Sequence, residues 1–521
     1  MKEKNFTKKS FISLIFVLCM SNFLLKAQEK SKLTVSPPYS VIDATNKYYF
    51  IKDDNLYAVK FNASNIKIQK YETNTPKYLD GKSYGNILPE ESKAIYVKKI
   101  DSKYYLFFVK LIKKPEIKEL LFYTEIDFDN LSISSKYETI IDVSTRVRWI
   151  SNLNTLAPKY GFYFSPDKSK FLLQYRKASD TKRNSKSKEE LGLLVYDAKT
   201  MKKISGNEIQ MPYVESDMKL ENVFLDNEGQ VHVSIYNLEK DEDEVIQINV
   251  KTKSIYISKR PSTKEWGYNF YASISNDNKL CFLSTSDKGK QIFLQNVDKG
   301  QMKFKIPQDI YSKYEKLQRF KGFSVRGRFD CEDGGFLLVA QQYWDTTVIR
   351  MSGSGSNYKR YKDEIYFYND LIVLKVDKDL KMQWIKQIPH GTDYSFPIPK
   401  EGTYAAKNYL LQKHQHHSGM HYFFHYVMES PIIEITDDMS KKERKKAEKL
   451  MRKLYRTAYV DVVDEKDGTF KTIRLFNLKN INGRRVGQFK FYRTRISNDG
   501  SIISEVYGGD KQDLLLKNTI E

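Results

Sequence analysis

Short runs of alternating apolar and polar residues, broken by clusters of Asp, Asn, Gly and Ser, recur along almost the whole chain. A period of two puts successive side chains on opposite faces of a strand, and the polar clusters supply the positive φ angles or self-capping side chains that hairpin turns need. One recurrent unit is a short strand, a tight turn and a second strand. Its turns are Ser165-Pro166-Asp167, Asp226-Asn227-Glu228-Gly229, Ser275-Asn276-Asp277-Asn278, Cys331-Glu332-Asp333-Gly334 and Ser497-Asn498-Asp499-Gly500. A second unit follows at a short distance: an apolar strand, a polar turn around Asp197, Lys251, Asp298 or Asp377, and a Lys-rich alternating strand. Two hairpins per repeat predict a four-stranded antiparallel sheet, one blade of a propeller. Helix-period segments are scarce.

Full units fall near residues 94–138, 161–205, 222–258, 271–305, 327–388 and 403–475. Residues 493–508 supply a first hairpin and Tyr57 to Glu72 a second, so joining them predicts a seventh blade that closes the ring and removes its open edges. The expectation is an all-β chain forming a single β-propeller. Seven four-stranded blades closed by pairing of N- and C-terminal strands fit best, with six or eight as alternatives. The Ser-Pro-Asp and Ser-Asn-Asp-Gly turns resemble those of exported propellers of the TolB or WD-repeat-like kind over nearly the whole mature chain. That resemblance implies an architecture with many functions and little about activity. No Trp-Asp strand end recurs, so the WD repeat proper is not matched.

The N-terminus breaks the pattern. Lys2, Lys4, Lys8 and Lys9 precede an apolar stretch from Phe11 to Met20, and Leu25-Lys26-Ala27 closes it, the order of a cleavable secretory signal over residues 1–27. The apolar run is too short to span a bilayer. Leu18 stands where a lipidation signal at Cys19 wants a small residue, which argues against a lipid anchor. The reading is therefore export to the periplasm or beyond, with residues 28–521 forming the propeller. Because residues 493–508 lie in the last blade, no separate C-terminal sorting or catalytic domain is expected.

Composition and charge narrow the partners. Tyr 37 and Phe 30 favour pleated, half-buried surfaces. Residues 1–27 hold five Lys and one Glu, so the formal +22 of the chain leaves about +18 on the mature part. For an exported protein, that charge suits acidic protein, lipid headgroups or an anionic glycan of the cell envelope rather than nucleic acid, although a Lys-rich composition produces the same figure without any partner. Of the three cysteines, Cys281 and Cys331 survive processing and read as two buried thiols rather than a disulfide. A monomer is expected.

In the propeller strand order, turns within hairpins share one face and connections between hairpins and blades share the other. Long connections at 177–190, 344–369, 389–402 and 429–457 all fall on the second face, which reads as the working face. Arg146, Arg148, Trp149, Trp266, Arg326, Arg328 and Trp344 lie near that rim and are the candidate ligand-binding residues, since aromatic rings with arginines suit sugars and anions. The competing reading is that they pack blade against blade. A helical insertion is predicted at about 436–456: Ser440 and Glu443 form a capping box, Ala447, Leu450, Met451, Leu454 and Tyr455 an apolar stripe. Residues 441–456 hold nine basic and two acidic side chains, so this helix suits peripheral contact with an anionic membrane or an acidic partner.

Six of the seven histidines are His390, His414, His416, His417, His421 and His425. His414, His416 and His421 are the candidates for a metal, but no nearby acid completes a motif, so no metal site and no cofactor are assigned. The chain has no G-x-S-x-G, H-E-x-x-H or G-x-x-x-x-G-K-[ST] sequence. The leading expectation is a non-enzymatic exported propeller that binds a protein or glycan partner through its insertion face. The alternative is a lyase or glycosidase acting on an anionic polysaccharide in the central funnel, with Asp393 and Tyr394 as contributors.

Overall fold

The five first-hairpin turns close in one way. Lys168, Gly229, Asn278, Gly334 and Gly500 each donate their backbone N–H to the carbonyl three residues earlier, on Ser165, Asp226, Ser275, Cys331 and Ser497. All five take φ between +59° and +87°, which Gly and Asn adopt readily and Lys168 only with strain. Asp167 and Asp499 complete two of these turns. Asp499 Oδ1 accepts from Ser497 Oγ at 2.6 Å and Ser501 N at 2.9 Å, and Asp167 repeats the pattern with Ser165 and Ser169.

The computed structural model describes residues 28–148, 159–177, 187–259, 266–310, 322–388, 413–429, 440, 442, 455–477, 481 and 491–520, apart from 43, 241, 276–277, 279, 287–290, 297–299, 353–358, 416–417 and 510. Their strands form sheets in chain order over 46–84, 92–143, 147–214, 218–259, 266–305, 322–388, 413–477 and 494–519, here sheets one to eight. Within each, neighbouring strands pair antiparallel; in sheets two and three two strands share one partner, Ser132–Ile133 and Glu138–Val143 on Lys118–Asp127, and Val147–Arg148 and Tyr160–Phe164 on Lys170–Lys177. First strands of neighbouring sheets touch one another: Asn46–Lys52 meets Ser92–Ile100, Tyr160–Phe164 meets Met218–Leu225, and Trp266–Ile274 meets Gly322–Asp330. They therefore stand nearest the axis, and the fold is the β-propeller that the repeat predicted.

Among the described residues, apolar clusters join sheets one to four in succession and sheets five to eight in succession. In sheet six, Ile372 and Leu374 enter the cluster shared with Leu283 and Leu294 of sheet five. Leu371 and Val373 enter the cluster shared with Phe423 and Val463 of sheet seven. Middle strands are thus buried on both faces, as in Asn55–Asn62, whereas the outer strand Lys77–Tyr84 is mostly exposed.

The two chain ends close the ring, as expected. Lys32–Val35 pairs antiparallel with Gln512–Thr519, from Lys32 opposite Thr519 to Val35 opposite Leu516, and supplies the outer strand of sheet eight. Gln28–Lys30 adds in parallel to Phe470–Asn477 at the edge of sheet seven. The expected seventh unit is distributed differently: Tyr57 to Glu72 belong to sheet one with Asn46–Lys52, and residues 493–508 belong to sheet eight with Gln512–Thr519. Among the described residues the strand pairing consequently gives eight sheets. The extra strand carries Leu514, Leu515 and Leu516, all buried, an unbroken apolar run without the alternation that marks a half-buried strand.

Sheets eight and one meet through Ile503 and Leu515 against Tyr49, Leu56 and Tyr71. Beside that contact, Glu505 is fully buried and ion-paired to the equally buried Lys60. It also accepts hydrogen bonds from Tyr49, and from Tyr39 at 2.8 Å.

Residues 344–369, expected as a long connection, are mostly strand. Trp344 to Ser352 pair with Lys359 to Phe367 and with no other described strand, forming a two-stranded ribbon beyond sheet six. The helical insertion expected at 436–456 and the signal segment expected at 1–27 lie outside the described residues, apart from Ser440 and Lys442 and from Tyr455 and Arg456, which begin the strand Tyr455–Asp464 instead of ending a helix.

Candidate axial cavity and buried Cys–His–Glu cluster

The C-terminal ends of four first strands, in sheets three to six, surround a cavity of about 720 Å³. Tyr163 and Phe164, Asn222 and Phe224, and Ser273 line it from three successive strands. Lys168 stands on its rim, exposed, at the strained turn position. Neighbouring turns interlock around it: Asp167 N donates to Asn227 Oδ1 at 3.1 Å, and Asn227 N to Asn278 Oδ1 at 2.6 Å. Phe164 is 37 % exposed, while Tyr163 is half-buried with its hydroxyl on Gln174 at 3.0 Å. Burial pushes that phenol up to about 12, so it stays neutral.

On the far wall, Arg328 and Asp330 of sheet six pair at 3.1 Å. The Arg328 side chain is only 3 % exposed and its guanidinium lies 4.1 Å from the centroid of Phe336. Phe336 belongs to the cluster between sheets five and six. Arg328 therefore both lines the cavity and packs blade against blade.

The other sequence candidates are not gathered there. Arg326, the extra residue at a β-bulge, donates Nε to Gln341 Oε1 at 3.0 Å. Arg146 is exposed, and Arg148 is half-buried in a two-residue strand, opposite Arg176. Trp149 lies outside the described residues; the backbones of Trp266 and Trp344 stand opposite Ser286 and Phe367. Trp266 begins its strand whereas Arg328 is near the end of the adjacent one. Six residues of strand, roughly 20 Å, separate their levels. The cavity opens on the hairpin-turn face, opposite the face that the insertions had marked.

Cys331, beside Asp330, connects this cavity to a buried cluster. Its Sγ, one imidazole nitrogen of His421 and one carboxylate oxygen of Glu465 all lie within 4.8 Å of one another, and all three residues are buried. His421 is the second residue of the second strand of sheet seven, Met420–Glu429, and Glu465 sits in that sheet's second-hairpin turn. His421 Nε2 is 2.9 Å from Glu465 Oε2, and Glu465 Oε1 accepts the backbone N–H of Glu332 at 3.1 Å. Trp384 Nε1 donates to the Glu465 carbonyl at 3.3 Å. Burial, reinforced by the Glu465 carboxylate, pushes the Cys331 thiol far above its usual value. It is therefore a protonated thiol at neutral pH, the opposite of an activated nucleophile. Cys281 is likewise buried, and neither cysteine forms a disulfide.

No protein-family profile matches the chain, and no curated protein does. Among solved structures it is similar to the Dos1 propeller, at 11% identity over 56% of this chain and 64% of that one, with a TM-score of 0.29. It is also similar to one of two prolyl endopeptidases, at 10% identity over 83% and 46% with a TM-score of 0.31. A third is prolyl oligopeptidase B from Galerina marginata, at 8% identity over 88% and 59% with a TM-score of 0.31. The chain spans about half to two thirds of the length of these proteins. Similarity at this level carries nothing about activity.

The histidines have acidic neighbours that sequence distance hid. His425 Nδ1 lies 3.3 Å from Asp461 Oδ2 across the strand pair, and His421 meets Glu465. This corrects the expectation that no acid stands near them. His414 is placed by its backbone opposite Tyr422, and His390, His416 and His417 lie outside the described residues, as do Asp393 and Tyr394.

Proposed function

We propose that the chain is an exported β-propeller that binds an anionic glycan of the cell envelope at its axial cavity without transforming it. The carrying observation is the cavity lining. Its volume lies in the range of small-ligand sites and is concave, unlike the broad flat contact of a typical protein partner. Aromatic faces at Phe164 and Phe224 suit sugar rings, Asn222 and Ser273 offer hydrogen bonds to hydroxyls, and Lys168 with Arg328 outweighs the single acid Asp330. Glycosidase chemistry uses two carboxyl groups. Among the described lining residues Asp330 has no carboxylate companion and is engaged by Arg328.

The test is to apply the chain from Gln28 onward to an array of uronate-bearing, sulfated and neutral oligosaccharides, and to incubate it with the hits. Retention of acidic glycans without new reducing ends supports the reading. Cleavage would establish the enzyme alternative, and an array without hits, together with a protein captured from the envelope, would replace glycan by protein.

A further inference from the structure

We propose that Cys331, His421 and Glu465 bind a divalent transition-metal ion of the zinc class, which ties sheet six to sheet seven at the edge of the axial cavity. This does not depend on the glycan reading. The donor set is a thiol, an imidazole and a carboxylate, the three side-chain types that zinc takes. They come from three separate turns or strand ends, yet all donor atoms lie within 4.8 Å of one another. Tetrahedral zinc with its usual bond lengths holds donors about 3.4 Å apart. Closing around an ion therefore requires side-chain shifts of about an ångström, without backbone rearrangement.

Two further features support the assignment. In four sister turns the position of Cys331 is occupied by Ser165, Asp226, Ser275 and Ser497, with the same turn hydrogen bond. Ser165 and Ser497 turn their hydroxyls back to the Asp two residues on. Cys331 instead places its sulfur beside His421 and Glu465, so the turn has exchanged a self-capping group for a soft donor. Glu465 is also held from outside the trio, through the Glu332 N–H on one carboxylate oxygen and the Trp384 indole on its carbonyl. Such outer hydrogen bonds orient metal ligands. Charge agrees as well: a thiolate and a carboxylate balance a divalent cation, leaving a neutral buried site. Cys331 lines the cavity, which gives an ion and a fourth, water ligand access.

The experiment uses the mature chain, stripped with chelator, loaded with zinc or cobalt(II) and desalted. Elemental analysis should find one ion per chain, and the cobalt form should show a thiolate-to-metal charge-transfer band in the near ultraviolet. Cys331→Ser restores the residue of the sister turns and should fold, but should lose the band and at least tenfold in zinc affinity. His421→Gln should also lose at least tenfold in affinity. Zinc should raise the melting temperature of the wild type and not of Cys331→Ser. A wild-type chain that retains no metal overturns the proposal and leaves the trio a hydrogen-bonded network. Equal binding by wild type and Cys331→Ser, without a thiolate band, overturns it too.

Discussion

Asp499 shows how one side chain can serve both a turn and a junction between elements. Burial opposes its ionisation, but the hydroxyls of Ser497 and Ser501, the Ser501 N–H and Lys517 at 2.9 Å outweigh that and hold its carboxyl well below the usual range. A folded-state value below the unfolded one means that the unfolded chain binds the proton more readily. The stabilisation is then complete above the ordinary Asp value of about 4 and is lost as pH falls through the lower folded value. Asp499→Asn should therefore lower the melting temperature at pH 7, and the gap to wild type should shrink in melts taken below about pH 3. Such turns were legible in the sequence because the bonds that close them are local, between residues two to five apart. The Cys331, His421 and Glu465 cluster was not. Its members are far apart in the chain, and only the closing of sheet six onto sheet seven brings them together.

At the level of strands and sheets, burial on two faces separates what the alternation could and could not reveal. Lys-rich fourth strands with one wet face, such as Ser254–Lys259, show period two and were legible, whereas Lys77–Tyr84, exposed on both faces, and Lys32–Val35 were not. Second and third strands send successive residues to opposite neighbouring sheets, as Leu371 to Leu374 do, so both parities are apolar and the period vanishes. That is why Gln512–Thr519 went unread and why Tyr57 to Glu72 were assigned to the wrong partner. The same junction holds the largest buried charge cluster among the described residues. Burial alone would raise the Glu505 carboxyl, but Lys60 and the Tyr49 hydroxyl keep it ionised and below its usual value. Removing Glu505 takes away the nearest counter-charge of buried Lys60 and leaves it, among the described residues, only Asp513 at 4.0 Å, so Glu505→Gln should cost about 3–5 kcal/mol. The double variant Lys60→Met with Glu505→Leu should cost less than the sum of the two singles. A urea double-mutant cycle checks this; additive costs would mean that the pair contributes no coupling.

For the whole molecule, the ring is sealed by Lys32–Val35 against Gln512–Thr519; closure was legible because unmatched hairpins stood at both ends, but the strand that makes it was not. The axial cavity was not legible. It is built from strand ends in four successive sheets, and of its lining residues the sequence marked only Arg328 as a candidate, with Ser165 and Pro166 read as turn residues. Lys168 provides the most direct test of the glycan reading, because its two roles pull in opposite directions. Its φ of 59° is costly for lysine and not for glycine, so Lys168→Gly should raise stability by about 0.5–1 kcal/mol while removing the rim cation. Calorimetric titration of wild type and Lys168→Gly with the best-retained acidic oligosaccharide, alongside thermal melts, separates the two effects. The account predicts an affinity lower by tenfold or more in a variant at least as stable as the wild type. Unchanged affinity in a stable Lys168→Gly chain would contradict it and move the ligand away from the cavity.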